Sequence, residues 1–135
     1  MNDNAKMWVS ALRSGDYVQT SGSLKENDSF CCMGVACDLY SKSVGNSRWN
    51  LDSSGTDWFE VLGEGDPNER GSDVFLPEVV MMWLGIEDNC GKFFDEGVGA
   101  GTDSLVDMND NDSTFEDIAK IIEEEPRGLF IGTEV

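Results

Sequence analysis

The chain has 135 residues, with 9 Lys+Arg against 27 Asp+Glu and no His, for a formal net charge of −18. That is the length of one domain, and its 39% hydrophobic and 10% aromatic content supplies the apolar surface that acidic disordered tails lack. Without imidazole there is no Ser-His or Cys-His nucleophile, no His general base and no His-containing zinc site.

A first helix is predicted from Ala5 to Arg13, with Met7, Trp8, Ala11 and Leu12 as one apolar stripe, Asn4 as its cap and Gly15 as its stop. The segment DYVQTSGSLKENDSF sets a polar Glu26-Asn27-Asp28 turn between Leu24 and Phe30, which suggests a short hairpin. A central helix follows from Cys32 to Ser41, with Cys32, Val35, Ala36, Leu39 and Tyr40 at i, i+3, i+4, i+7 and i+8. Gly34 lies inside it at a cost of about 1 kcal/mol relative to Ala. A close approach of another backbone would explain that glycine.

Between Lys42 and Gly71, short apolar pieces around Trp49, Leu51, Trp58, Phe59, Val61 and Leu62 alternate with Gly, Asp, Asn and Ser. They predict one or two short strands and then a flexible loop over 63–72. Pro77 opens a third helix that carries Val79, Val80, Trp83 and Leu84, and Gly85 ends it. Phe93 and Phe94 read as a short strand or buried turn, before a second flexible loop over 95–104 that holds Gly97, Gly99 and Gly101. That loop lacks the Lys and Ser/Thr of a phosphate-binding loop, and no clear strand feeds it. Ser113 and Glu116 form a capping box for the last helix, whose buried stripe is Phe115, Ile118, Ala119 and Ile122 and whose stop is Pro126. Leu129, Phe130 and Ile131 then fold back as a terminal strand or packing tail. The expectation is a mainly helical α+β single domain over 1–135. About four helices pack around Cys32, Val35, Leu39, Trp83, Phe115, Ile118 and Ile122, with a small antiparallel hairpin or sheet.

Residues 1–60 carry eight acids against five bases and residues 61–135 nineteen against four, so the halves bear −3 and −15. A field of that sign repels phosphate backbones and anionic membrane surfaces and attracts a basic protein surface, while solubility or adaptation to a saline cytoplasm is the more ordinary reason for such charge. The carriers are Asp107, Asp110, Asp112, Glu123, Glu124 and Glu125, acting as a field and not as a catalytic set. Glu123, Glu124 and Glu125 crowd a helix C-terminus, where the dipole opposes carboxylates, so solvent or a cationic partner is expected there. No stretch approaches the ~20 apolar residues of a membrane span. Nor does the start pair a basic region with an apolar run, so the cytoplasm is the expected compartment.

The stretch TDSLVDMNDNDSTFEDI offers calcium-like oxygens. Aligned on Asp107, however, Asp112 stands where an EF-hand needs Gly and Ile118 where it needs Glu. Asn109, Asp110 and Asp112 read instead as a turn and helix cap. Cys31, Cys32, Cys37 and Cys90 lack CxxC spacing, and core packing with reduced thiols is expected of them. No metal and no cofactor are assigned. With 27 acids, any chosen carboxylate pair is uninformative as an acid/base set, so no catalytic residue is assigned either. Trp8 and Trp83 fit core stripes, which leaves Trp49 and Trp58 as candidates for an exposed contact surface and Gly99 for a ligand pocket beside them.

The pieces WVSALRSGDYVQTSGSL, FCCMGVACDLY, FLPEVVMMWLGI and LVDMNDNDSTFEDIAKIIEEEPRGLF, in that order, make the chain similar to a family of small uncharacterised proteins of bacteriophages and some bacterial genomes. The resemblance implies a phage-encoded accessory protein and brings no catalytic residues with it. The expected function is non-enzymatic binding of a host component during infection. A basic, nucleic-acid-binding host protein or defence factor in the infected cell's cytoplasm would fit. The alternatives are a small-ligand-sequestering protein or minor enzyme with a pocket near the glycine loop, and a minor virion component.

Overall fold

An asparagine opens the first helix earlier than its apolar stripe suggests. In the computed structural model, which describes residues 1–62, 72–95 and 101–132, α1 spans Asp3–Arg13. Its cap is Asn2 and not Asn4: the Asn2 side chain accepts the Ala5 N–H at 2.8 Å, while Asn4 donates to the Trp83 carbonyl at 2.9 Å. The buried stripe is Ala5, Trp8, Val9 and Leu12, rotated from the expected one. The Trp8 indole N–H, donating to the Cys32 carbonyl at 2.9 Å, fixes that roll. Ala11 is left at the margin of the core and Met7 is exposed.

β1 (Val18–Gln19), β2 (Lys25–Glu26) and β3 (Ser29–Phe30) form one small sheet in the order β1-β3-β2. The predicted hairpin is β2–β3, turned at Asn27 with φ +56, a left-handed conformation that Asn accepts better than most residues. β1 adds to β3 in parallel, a pairing between segments too short to carry a period.

α2 (Cys32–Val44) is capped by the Cys31 thiol, which accepts the Gly34 N–H at 3.4 Å. The expected close approach is present at Gly34. A Cβ there would overlap the Leu24 carbonyl oxygen and lie 2.8 Å from its carbon. Cys32 through Cys37 and Tyr40 are buried, whereas Leu39 is only half-buried.

β4 (Ser47–Leu51) and β5 (Asp57–Val61) pair antiparallel, with Trp49 opposite Phe59 and Asn50 opposite Trp58. The turn between them is built on Asp52, whose carboxylate accepts the Ser54 and Thr56 N–H groups. Buried Asp57 holds the Lys25 ammonium at 3.5 Å. That ammonium also lies 5.8 Å from the Phe30 ring centre and 5.9 Å from that of Trp49, which ties the two sheets together. Residues 63–71 of the first expected loop lie outside the described residues, and Ser72 pairs with Phe59.

α3 (Glu78–Leu84) starts after Pro77 and stops at Gly85, which has φ +78. It buries Val80 and Leu84. Trp83 sits at the core's edge, its ring edge-on to Tyr40 at 5.5 Å. Leu39 and Trp83 are therefore flanking residues and not core centres.

β6 (Lys92–Asp95) and β7 (Gly101–Ser104) form an antiparallel pair, so the second half of the expected 95–104 loop is a strand. Gly97 and Gly99 lie outside the described residues. A fifth helix, α4 (Leu105–Asp110), follows directly where a turn was expected. Ser104 caps it by accepting the Asp107 N–H at 3.0 Å, and Leu105 and Asn109 are its buried side. α5 (Phe115–Glu124) has its capping box one residue later than expected, on Thr114 and Asp117. Both registers are available in STFED; the observed one leaves the Ser113 N–H free to close α4 on Met108 at 3.0 Å. The α5 stripe of Phe115, Ile118, Ala119 and Ile122 is buried as expected. After Pro126 the chain folds back, burying Leu129 and Phe130 and bridging Phe130 to Ile86, while Ile131 stays exposed.

The result is a mainly helical α+β arrangement around one core. α2 contacts α1, α3, α4 and β3, and α5 lies along α1. Each large apolar side chain buried there contributes roughly 1.5–3 kcal/mol.

Candidate functional site

The shift of Met7, Ala11 and Leu39 away from the core centre has a structural consequence. Between α1 and α2 the surface opens into a groove of about 630 Å³, with these three side chains and Phe30 as its apolar lining. Ser10, Ser14, Asp16, Tyr17, Asp38 and Lys42 supply its polar lining.

The centre of the polar side is the Asp38 carboxylate. It accepts the Tyr17 hydroxyl at 2.7 Å, the Trp49 indole N–H at 3.3 Å and the Lys42 ammonium at 2.9 Å. Burial alone pushes the Asp38 carboxyl up. The donors from Tyr17, Lys42 and Trp49, with the charge of Lys42, outweigh burial and leave it below its ordinary value. Tyr17 is pushed up to about 12, first by burial and then by its bond to Asp38. Lys42 is raised by its hydrogen bond to Asp38 and by that residue's charge. Its ammonium also stands 5.5 Å from the Tyr17 ring centre, within cation–π range. Asp38 and Lys42 are four residues apart on α2. Their spacing is that of a helical ion pair, the one sequence signal that could have drawn attention to this site.

The six acidic residues singled out from the sequence are placed by α4, α5 and the turns after them. Asp107, Asp110, Asp112, Glu123, Glu124 and Glu125 are all exposed. Three of them also have structural work. Asp110 accepts the Gly22 N–H at 3.0 Å, Glu123 pairs with Arg13 at 2.6 Å, and Glu125 pairs with the N-terminal ammonium at 2.6 Å. Arg13 also meets Glu116 at 3.2 Å. These contacts show how the crowded C-terminus of α5 is tolerated: Arg13 of α1 and the N-terminal ammonium stand against it. They leave the overall excess intact, since 9 bases cannot neutralise 27 acids.

Asn109, in the middle of that acidic run, is a fastener. It is buried; its oxygen accepts from Gln19 at 2.9 Å and from the Cys32 N–H at 3.2 Å, and its amide donates to the Thr20 carbonyl at 2.7 Å. It joins α4 to β1 and to the start of α2.

The candidate tryptophans do not share a surface. Trp49 faces Phe59 and packs edge-on against Phe30 and Phe59 at 5.9 Å and 4.9 Å. Trp58 is opposite Asn50, on the other face of the hairpin, with its indole N–H on Asp52 at 2.8 Å. Gly99, the proposed pocket wall, lies outside the described residues. Cys31, Cys32 and Cys37 are buried free thiols and Cys90 a half-buried one. Burial raises all four, Cys31 to about 11. Such thiols are poor nucleophiles. Among the described residues, no group of three or more His, Cys, Asp or Glu is placed to hold a metal ion.

The model of a family described as a domain of unknown function, DUF8296, matches residues 1–126. The chain belongs to that family. No curated protein and no solved structure matches it. The match takes in the groove and every acidic position considered above. Among the described residues of this DUF8296 chain, no helix is long and apolar enough to cross a membrane.

Proposed function

We propose that this DUF8296 chain is a non-enzymatic binding protein: an acidic, phage-encoded accessory protein that engages a basic host protein in the cytoplasm of the infected cell. The observation that supports this reading is the exposure of Asp107, Asp110, Asp112 and Glu124 on the two consecutive helices α4 and α5 and the turn that joins them, in a chain of net charge −18. Such a surface raises the encounter rate with a Lys/Arg-rich face and loses that advantage as salt screens it. A host protein whose basic face ordinarily meets nucleic acid would present the complementary charge.

The test is affinity purification of the tagged chain from bacterial host lysate, compared with a D107N/D112N/E124Q variant that leaves the Arg13, Gly22 and N-terminal contacts in place. A basic protein retained at low salt, released at about 1 M salt, where the Debye length is ~3 Å, and lost with the variant supports the reading. Retention of the same partner by the variant, or through high salt, refutes it.

A further inference from the structure

We propose that the groove between α1 and α2 accepts a lysine or arginine side chain of the basic partner, in the place that Lys42 now fills; this rests on the partner being a basic protein. The molecule already shows that the site holds a cation. The Lys42 ammonium is 2.9 Å from Asp38 Oδ2 and 5.5 Å from the Tyr17 ring centre, a carboxylate and an aromatic face converging on one charge. The carboxylate is positioned independently of Lys42, because Tyr17 and Trp49 hold it from two further directions at 2.7 Å and 3.3 Å.

Lys42 itself is a largely exposed occupant. Its side chain is 69% exposed, against 14% for Asp38, and an exposed ion pair at this helical spacing contributes little. An incoming side chain from outside the molecule has more to gain. Its alkyl stem can lie along Met7, Ala11 and Leu39, which line the groove. A second carboxylate, exposed Asp16, lines the same groove. Asp16 and Asp38 together keep the groove attractive to a cation that displaces Lys42. An anionic ligand would have to enter against both carboxylates and against the whole molecule's field.

The experiment is fluorescence anisotropy of a labelled Lys/Ala peptide titrated with the full chain at low salt. K42A is compared with K120A, which makes the same change in net charge on the exposed face of α5. Removal of the resident cation should tighten binding by about twofold beyond the effect of K120A, the factor expected for one exposed helix ion pair. D16N should weaken binding, and A11W, which fills the groove, should remove the difference between K42A and K120A. Lys42 and Asp16 are exposed, so neither single substitution disturbs the core. If K42A and K120A bind alike and D16N binds like wild type, the groove is not the site, although peptide binding that falls with D107N/D112N/E124Q would still uphold the basic-partner reading. A wild-type chain that does not bind the peptide overturns both.

Discussion

Replacing Gly34 by Ala tests the tightest packing contact in the fold. In an ordinary helix interior the substitution would stabilise by about 1 kcal/mol. Here the new Cβ would overlap the Leu24 carbonyl oxygen and stand 2.8 Å from its carbon, against roughly 3.5–4 Å for comfortable carbon contact. Relief requires a backbone shift on the order of 1 Å. Leu24 cannot yield easily: its N–H donates to Asp73 at 2.7 Å, its carbonyl accepts from Cys31 at 3.0 Å, and its side chain is fully buried. Overpacking of this kind costs about 1–3 kcal/mol, and the strained Cys31 bond about 1 kcal/mol more. After the helix-propensity gain is subtracted, the net loss is about 2 kcal/mol, or a Tm lower by ~7 °C for a domain of this size. Differential scanning calorimetry of G34A measures it. G101A is the control, because a Cβ at Gly101 meets nothing within 4 Å. A G34A protein that melts at or above the wild-type temperature would refute the reasoning.

Asn109→Ala should cost about 2–4 kcal/mol in urea unfolding, since it strands the buried Cys32 N–H, removes the donor to the Thr20 carbonyl and leaves Gln19 with only the Ser113 carbonyl as acceptor; a loss below about 0.5 kcal/mol would show that water replaces the lost partners. Titration with a thiol reagent should label Cys90 first in the native state and Cys32 and Cys37 only on unfolding, because burial both shields those two and raises them. Rapid native labelling of Cys37 would contradict the packing of α2. Asp38 is lowered in the fold, so its contribution is fully present above its unfolded value of about 4 and is lost as pH falls through the lower folded one. D38N should therefore flatten the acid limb of stability against pH, and an unchanged limb would remove Asp38 from the account. In the same variant Tyr17 should still ionise above its ordinary value, but below about 12, since burial, the larger cause, remains while the bond to Asp38 is weakened. Ultraviolet difference absorbance follows that ionisation.

Helices with a strong apolar period were legible in the sequence. α5 was placed by Phe115, Ile118, Ala119 and Ile122, and α2 by its apolar run despite the glycine within it. What misled was local and has local causes. In α1 the apolar residues Ala5, Met7, Trp8, Val9, Ala11 and Leu12 cover more than one stripe, so the roll depended on a tertiary contact, the Trp8 bond to Cys32. α4 has only 6 residues, too few to show a period. Its Asp and Asn residues ordinarily favour turns. Ser104 and the burial of Leu105 and Asn109, visible only in three dimensions, decide in favour of helix.

The same limit governs the candidate sites. The net charge of the acidic run is legible in the sequence, but sequence cannot separate a carboxylate that faces only solvent from one that closes the fold. Asp110 steadies Gly22, while Glu123 meets Arg13 and Glu125 the N-terminal ammonium across a sequence separation that no local pattern reports. Pairing of this kind subtracts nothing from the long-range field, because each pair conserves the molecule's net charge. It does redistribute the near field. The C-terminal end of α5 is locally compensated, whereas exposed Asp107, Asp112 and Glu124 are the positions where neutralisation leaves those contacts in place. A partner that reads only net charge should therefore respond equally to E123Q and E124Q. A partner docked on the helix pair should respond more to E124Q, while E123Q should act mainly by loosening Arg13 from α5, which then holds it through Glu116 alone. The two can be told apart by measuring peptide affinity and Tm on the same samples: an affinity loss with unchanged Tm for E124Q, and a Tm loss for E123Q, would assign interface and scaffold roles to adjacent carboxylates. Equal losses of affinity at unchanged Tm would mean that the surface acts only through its summed charge.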